Sequence, residues 1–302
     1  LSEKDALKKD RPFGKSGFFH SMRMKIILLI LLNLIVFSNT FKNCFTYDDY
    51  IFILNNPSVQ SPQYIRSLFT SSFPSYRPDL CLYRPLVGAS YLLSWCTGLK
   101  KGVEEDPSFA EHIKIFYFHL GNLVIHIGVV ISLFLFIRKL FGNEKTAMIS
   151  SVLFSVHPVH TEAVTSIVGR AESLCTLFYL VSLIFFIHAR GKKSLFSPIR
   201  ILSYIFFMMA LLSKESAITL PLVVMVTSWI INIRENKPIA PEKNRNRESG
   251  DTMSVFLKRA IIAILPYALV FLVYLNLRLR ILPFWGILKS EQYFGEKAIF
   301  ER

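Results

Sequence analysis

The chain has 302 residues, 52% hydrophobic and 14% aromatic, with Phe alone at 27. Charged residues make up 19%, and mean hydropathy is +0.41. A soluble domain carries about 25% charged residues, so a disordered chain, a collagen and a coiled coil are excluded and an ordinary soluble globule does not fit. Net charge is +14 with a pI near 9.7. On a soluble protein that balance would suggest nucleic acid; on this one it reads as the positive-inside bias of a membrane protein. Four scattered cysteines, with no CxxC, imply no metal framework. The first residue is Leu and not Met, which suggests a fragment.

In chain order, a basic head (1–25) with seven Lys/Arg precedes an apolar span from about Met24 to Phe41. A secretory signal peptide competes, but no small-x-small cleavage site is evident, so an uncleaved anchor is expected. Stretches free of Asp, Glu, Lys and Arg recur at Ile115–Ile137, Thr146–Thr161, Ser173–Ala189, Ile201–Ser213, Ser216–Ile233 and Ala260–Leu277. A bilayer span needs about 20 mostly apolar residues. The reading is therefore an all-α polytopic membrane protein with about seven transmembrane helices.

Two boundaries need a physical argument. Ile201–Ile233 as one helix would run about 50 Å, beyond a hydrocarbon core of about 30 Å. It would also place Lys214 and Glu215 in mid-bilayer, where charge is expensive. Two spans turning at Ser213–Ser216 resolve both problems. Likewise Pro158 pushes the residue before it off α geometry, so one helix ends by Val156 and another starts beyond.

With a cytosolic N-terminus, the cytosolic pieces are 1–25, 138–146, 190–200 and 233–259, which hold 21 of the 35 Lys/Arg. The opposite orientation would violate the charge rule. Residues 234–259 read as a solvated cytosolic loop, and 42–114 as a long first luminal loop. Within that loop, Leu86–Trp95 reads as an interfacial helix. No tetratricopeptide pattern appears.

The luminal segments hold the unusual chemistry. Asp48-Asp49 follows the first span; an acidic pair at a membrane boundary can supply a general base, hold a cation, or simply open a solvated loop. Arg84, fixed before Pro85, can bind phosphate or anchor at the headgroups. His119, Asn122 and His126 share one helix face. They serve either a ligand or relay role, or helix–helix hydrogen bonding. His157, His160 and Glu162 precede Arg170 and Glu172. His-x-x-His-x-Glu is not the metalloprotease arrangement and has no nearby third His or Cys, so no metal is expected. Lys214, Glu215, Arg278 and Arg280 fall on the same predicted side. Basic groups beside carboxylates at a membrane face suit binding of an anionic lipid headgroup, with transfer from a lipid phosphate as one outcome.

Several stretches resemble a known family. They are Asp48-Asp49 with Asn56-Pro57-Ser58-Val59, Tyr83-Arg84-Pro85-Leu86, Phe118 to Leu123 with His126, and above all LFSVHPVHTEAVTSIVGRAESL from Leu153 to Leu174. Ser213-Lys214-Glu215-Ser216 is a further match. The family is the transmembrane and tetratricopeptide-repeat O-mannosyltransferases that target cadherins, within the C-type glycosyltransferase (GT-C) superfamily.

The resemblance implies a GT-C-like helical bundle (26–280) in the endoplasmic reticulum membrane. It implies dolichyl phosphate mannose as donor, and as acceptor a Ser or Thr hydroxyl of a cadherin-like protein. No cofactor and no nucleic acid are implied. Transfer would invert, with Asp48 and Asp49 as the catalytic acid pair. Arg84, Arg170 and Lys214 are expected at the donor phosphate. His119, His126, His157, His160, Glu162 and Glu215 form a supporting luminal cluster. Residues 281–302 would be a truncated luminal segment, without the family's tetratricopeptide array. A transporter and a non-enzymatic membrane scaffold are the rival readings.

Overall fold

A computed structural model describes residues 21–98, 107–192, 194–235 and 249–282, with side chains for all of these except 107–114, 235 and 249–260. Ten α-helices follow in order: α1 (Met22–Val36), α2 (Ile65–Thr70), α3 (Pro85–Gly98), α4 (Pro107–Phe141), α5 (Glu144–Val156), α6 (His160–Thr165), α7 (Arg170–His188), α8 (Pro198–Leu211), α9 (Leu220–Glu235) and α10 (Ser249–Ile281). Short 3-10 and π turns join some of them, and no strand occurs among the described residues. In lipid, a spanning segment must satisfy its own backbone groups, which a helix does internally.

Among the described residues, five segments are long and apolar enough to cross a membrane: Met22–Lys42, Ile115–Phe141, Arg170–His188, Glu215–Arg234 and Ile261–Ile281. The chain is a multi-pass, all-α membrane protein. The other two expected spans are shorter helices, α5 of 13 residues and α8 of 14. At 1.5 Å per residue each reaches only about 20 Å. Pro158 and the Ser213 turn end them, as the sequence indicates. The boundaries themselves fall where expected. α5 ends at Val156 with His157 extended at ψ 126°, and the α8–α9 connection occupies 212–219.

Two expected loops are partly helical. α4 starts at Pro107, inside the first loop, where proline suits a first helical turn. α10 starts at Ser249, inside the expected loop 234–259, because Met253 and Val255–Leu257 extend its apolar pattern. The head 1–20 and the tail 283–302 lie outside the described residues.

The first loop is folded down rather than solvated. Phe45, Ile53, Val59, Leu68 and Phe73 pack with Val87, Tyr91 and Leu92 of α3, Phe118 of α4 and Leu174 of α7 in one core. A second core joins α7, α8, α9 and α10 through Leu183, Phe207, Leu211, Val224 and Tyr267. Between α7 and α8, Ser182 and Ser203 exchange hydroxyl-to-carbonyl bonds of 2.8 and 2.7 Å, and Tyr267 of α10 joins them at 2.6 Å. Such small polar residues let membrane helices approach closely and bond across.

Candidate functional site

A cleft of about 450 Å³ opens where the first loop meets the α5–α7 region. Its walls include Asp48 and Arg84 from the first loop, Val159, His160, Glu162 and Ala163 around α6, Ser166, Val168 and Gly169 in the α6–α7 turn, and Ala171 and Glu172 at the start of α7. Gly169 is required by a close approach. A Cβ there would fall 2.3 Å from the Glu162 carbonyl oxygen and 2.8 Å from Ala163 Cα. Only with glycine can α6 lie against the turn into α7.

The acidic pair is split by its turn. Tyr47 adopts φ 38°, and the Asp49 N–H donates to the Thr46 carbonyl at 2.8 Å. Asp49 then folds inward, where its Oδ2 accepts the Thr46 N–H at 2.9 Å and its Oδ1 is buried without a partner. Burial pushes the Asp49 carboxyl above its ordinary range, against the lowering effect of the Thr46 N–H. Asp48 stays exposed and faces the cleft. Asp48 is therefore the member of the pair that can reach a ligand in the cleft, and Asp49 braces the turn.

Arg84 also reaches the cleft. Its Nη2 lies 3.2 Å from Glu215 Oε2, and its Nε is buried with no partner. Glu215 in turn meets Arg278 Nη1 at 3.0 Å. Beside them Lys214 is ion-paired to Glu172, and burial, followed by the nearby Arg84, lowers the Lys214 pKa. Cations and carboxylates from the residue before α3, from α7, from α10 and from the 214–215 turn therefore meet at one place.

Arg170, expected at the donor phosphate, is not brought to the cleft. It is 1% exposed. Its Nε donates to Asn122 Oδ1 at 2.6 Å, Nη1 to the Ser90 carbonyl and Ser94 Oγ at 2.9 Å each, and Nη2 to the Phe118 carbonyl at 2.6 Å. Its guanidinium carbon lies 4.8 Å from the Tyr91 ring centre. The sequence offered no direct sign of this, because two of the acceptors are backbone carbonyls of distant helices. Ser90 and Ser94, four apart on an otherwise apolar helix, were the available signal.

The histidines divide as well. His119 bonds Thr40 Oγ1 at 3.2 Å and the Asn43 carbonyl at 3.3 Å, and so ties α4 to the end of the first span. Asn122 holds Arg170 and donates to the Ser166 carbonyl at 2.9 Å. His126 is packed between Phe37 and Phe154, with its Nε2 unpartnered. Its ring lies 5.4 Å from that of His160, whose pKa burial lowers. His157 is exposed and 6.0 Å from His160, ring to ring. Among the described residues, no group of three or more His, Cys, Asp or Glu is placed to hold a metal ion.

Chemically, the cleft offers a solvent-facing carboxylate and a guanidinium in its walls. It can hold an anion and accept a proton from a group beside it.

The family model for dolichyl-phosphate-mannose-protein mannosyltransferase matches residues 113–240. The chain is 32% identical over 181 residues to human protein O-mannosyl-transferase TMTC3, covering 58% of this chain and 18% of that protein. It is 30% identical over 206 residues to human TMTC1, covering 64% and 22%, and 28% identical over 210 residues to human TMTC4, covering 62% and 26%. The chain thus spans about a quarter or less of the length of these relatives. No solved structure matches.

Proposed function

We propose that the chain, similar to the dolichyl-phosphate-mannose-protein mannosyltransferase family model and to protein O-mannosyl-transferases TMTC3 and TMTC1, transfers mannose from dolichyl phosphate mannose to Ser or Thr hydroxyls of secretory-pathway proteins such as cadherins. One observation carries this reading: Asp48 and Arg84, remote in sequence, line the same cleft. Asp48 takes the proton of the acceptor hydroxyl as general base. The hydroxyl oxygen bonds to mannose C1 on the face opposite the phosphate, so the product is inverted. The C1–O bond to phosphate breaks, and its electron pair leaves with dolichyl phosphate. Arg84 neutralises the charge that develops there, as preorganised cations do for a leaving phosphate. Lys214, held by the cleft residue Glu172, is the second cation. Arg170 supports the floor without touching the donor, and the lipid tail lies between helices.

The charge distribution supports a cytosolic N-terminus and a luminal cleft, and the family resemblance supports the endoplasmic reticulum membrane. In this arrangement 1–25 is a cytosolic head and 26–280 the membrane domain, with 281–302 returning to the lumen.

The test is transfer of radiolabelled mannose from dolichyl phosphate mannose to a cadherin-type extracellular domain in microsomes. Asp48→Asn is expected to lower transfer by at least about 10²-fold while donor binding persists. Parental transfer by Asp48→Asn, Asp49→Asn and the double variant would move the base elsewhere, first to Glu162 on the same cleft. Absence of transfer by the parent, with donor still bound, would favour a lipid-binding scaffold.

A further inference from the structure

We propose that Arg278, in the last turn of α10, is a positioning residue for the donor phosphate, acting through Glu215 on Arg84. The inference rests on the mannosyl-transfer reading above. Glu215 stands between two guanidiniums, with Oε2 3.2 Å from Arg84 Nη2 and Oε1 3.0 Å from Arg278 Nη1. Arg278 Nη1 also donates to the Tyr274 hydroxyl at 3.1 Å. The Tyr274 ring lies 6.5 Å from that of Tyr83, the residue before Arg84, so α10 is packed against the same turn. All three charged side chains are largely enclosed, at 18%, 28% and 18% exposure for Arg84, Glu215 and Arg278. Each charge there is screened less than it would be in open solvent.

The charge arithmetic gives Arg278 its role. One carboxylate shared by two guanidiniums leaves a net single positive charge, and the neighbouring Lys214–Glu172 pair is neutral. Of Arg84, Glu215 and Arg278, Arg84 is the one that lines the cleft. A phosphodiester placed against Arg84 balances the excess charge of these three groups. Without Arg278, Glu215 would neutralise Arg84 alone. The Arg84–Glu215 pair would then offer a donor phosphate no net attraction, although no group touching the donor had changed.

The experiment is a double-mutant cycle on binding of radiolabelled dolichyl phosphate mannose to the full chain purified in detergent. Arg278→Gln is expected to weaken binding about tenfold, within the range of coupled sites. That loss should vanish in an Arg84→Gln background, because a residue acting through Arg84 has nothing left to position. Arg278→Lys, which keeps the charge facing Glu215, should restore binding to within about threefold of the parent. A merely structural role would give the same loss with or without Arg84 and no rescue by Lys. Unchanged binding in Arg278→Gln, or equal losses in both backgrounds, overturns the proposal and leaves the cleft reading intact. Unchanged binding in Arg84→Gln overturns both. Where Arg278→Gln is not recovered folded, Tyr274→Phe replaces it; an Arg84-dependent loss supports the proposal, and no loss overturns it.

Discussion

Replacing Arg170 by Gln removes a guanidinium that makes four hydrogen bonds to two helices, α3 and α4, and stacks over Tyr91. The Ser90 and Phe118 carbonyls lie inside α3 and α4 and keep their helical partners, and Ser94 Oγ can rotate. The penalty therefore concentrates on Asn122 Oδ1, left buried at a cost of about 1–3 kcal/mol, and on the lost cation–π contact, about 0.5–2 kcal/mol. Together these agree with the about 3–5 kcal/mol typical of breaking a buried charged pair. By the scaling of soluble domains that is a loss on the order of 10 °C in apparent melting temperature. The assay is the fraction of purified protein that remains monodisperse in detergent after heating, followed by donor binding on the surviving fraction. Expected is a large loss of thermal survival with nearly parental donor affinity in what survives. Parental thermal survival with donor binding abolished would refute the reasoning and return Arg170 to the phosphate site.

Other outcomes follow from the same geometry. Gly121→Ala would place a Cβ 2.8 Å from Arg170 Nη2 and 3.2 Å from Ser94 Oγ; it should destabilise by about 1–3 kcal/mol, as overpacking does, and unchanged thermal survival would count against the Arg170 arrangement. The Asp49 carboxyl is held above its ordinary 3.8 by burial, so the folded chain binds a proton that the unfolded chain releases, and this contribution is full below 3.8 and lost as pH rises through the raised value. Asp49→Asn should therefore be at least as stable as the parent near pH 7 and show a flatter profile between pH 4 and 7; parallel melting curves would exclude Asp49 as the source. An N-glycosylation sequon engineered within 239–250 should stay unmodified while one at 61–64 is glycosylated, and the reverse result would invert the topology.

What the sequence made legible follows from local physics. The break before Pro158, the turn at Ser213–Ser216 and the apolar spans depend on residues near one another, and the structure places them as expected. The starts of α4 and α10 were less legible, because Pro107 and Ser249 lie in polar stretches read as loops. The split of Asp48 from Asp49 depends on a left-handed residue at Tyr47, which no composition rule requires. The burial of Arg170 was hidden for a different reason. Its acceptors are scattered over α3 and α4, and an arginine within a polar motif looks like a ligand until those helices are in place.

That scatter bears on how the chain is made. The acceptors for Arg170 lie 48, 52, 76 and 80 residues upstream of it. At a synthesis rate of about 5–20 residues per second, the nearest of them leaves the ribosome about 2–10 seconds before Arg170 does. An arginine entering a bilayer alone costs about 2.5–3.5 kcal/mol at mid-span. Here the groups that will receive it are already translated when α7 emerges. The order of the helices along the chain is thus also an order of assembly, in which the first loop and α4 form a seat before the charge that needs it arrives.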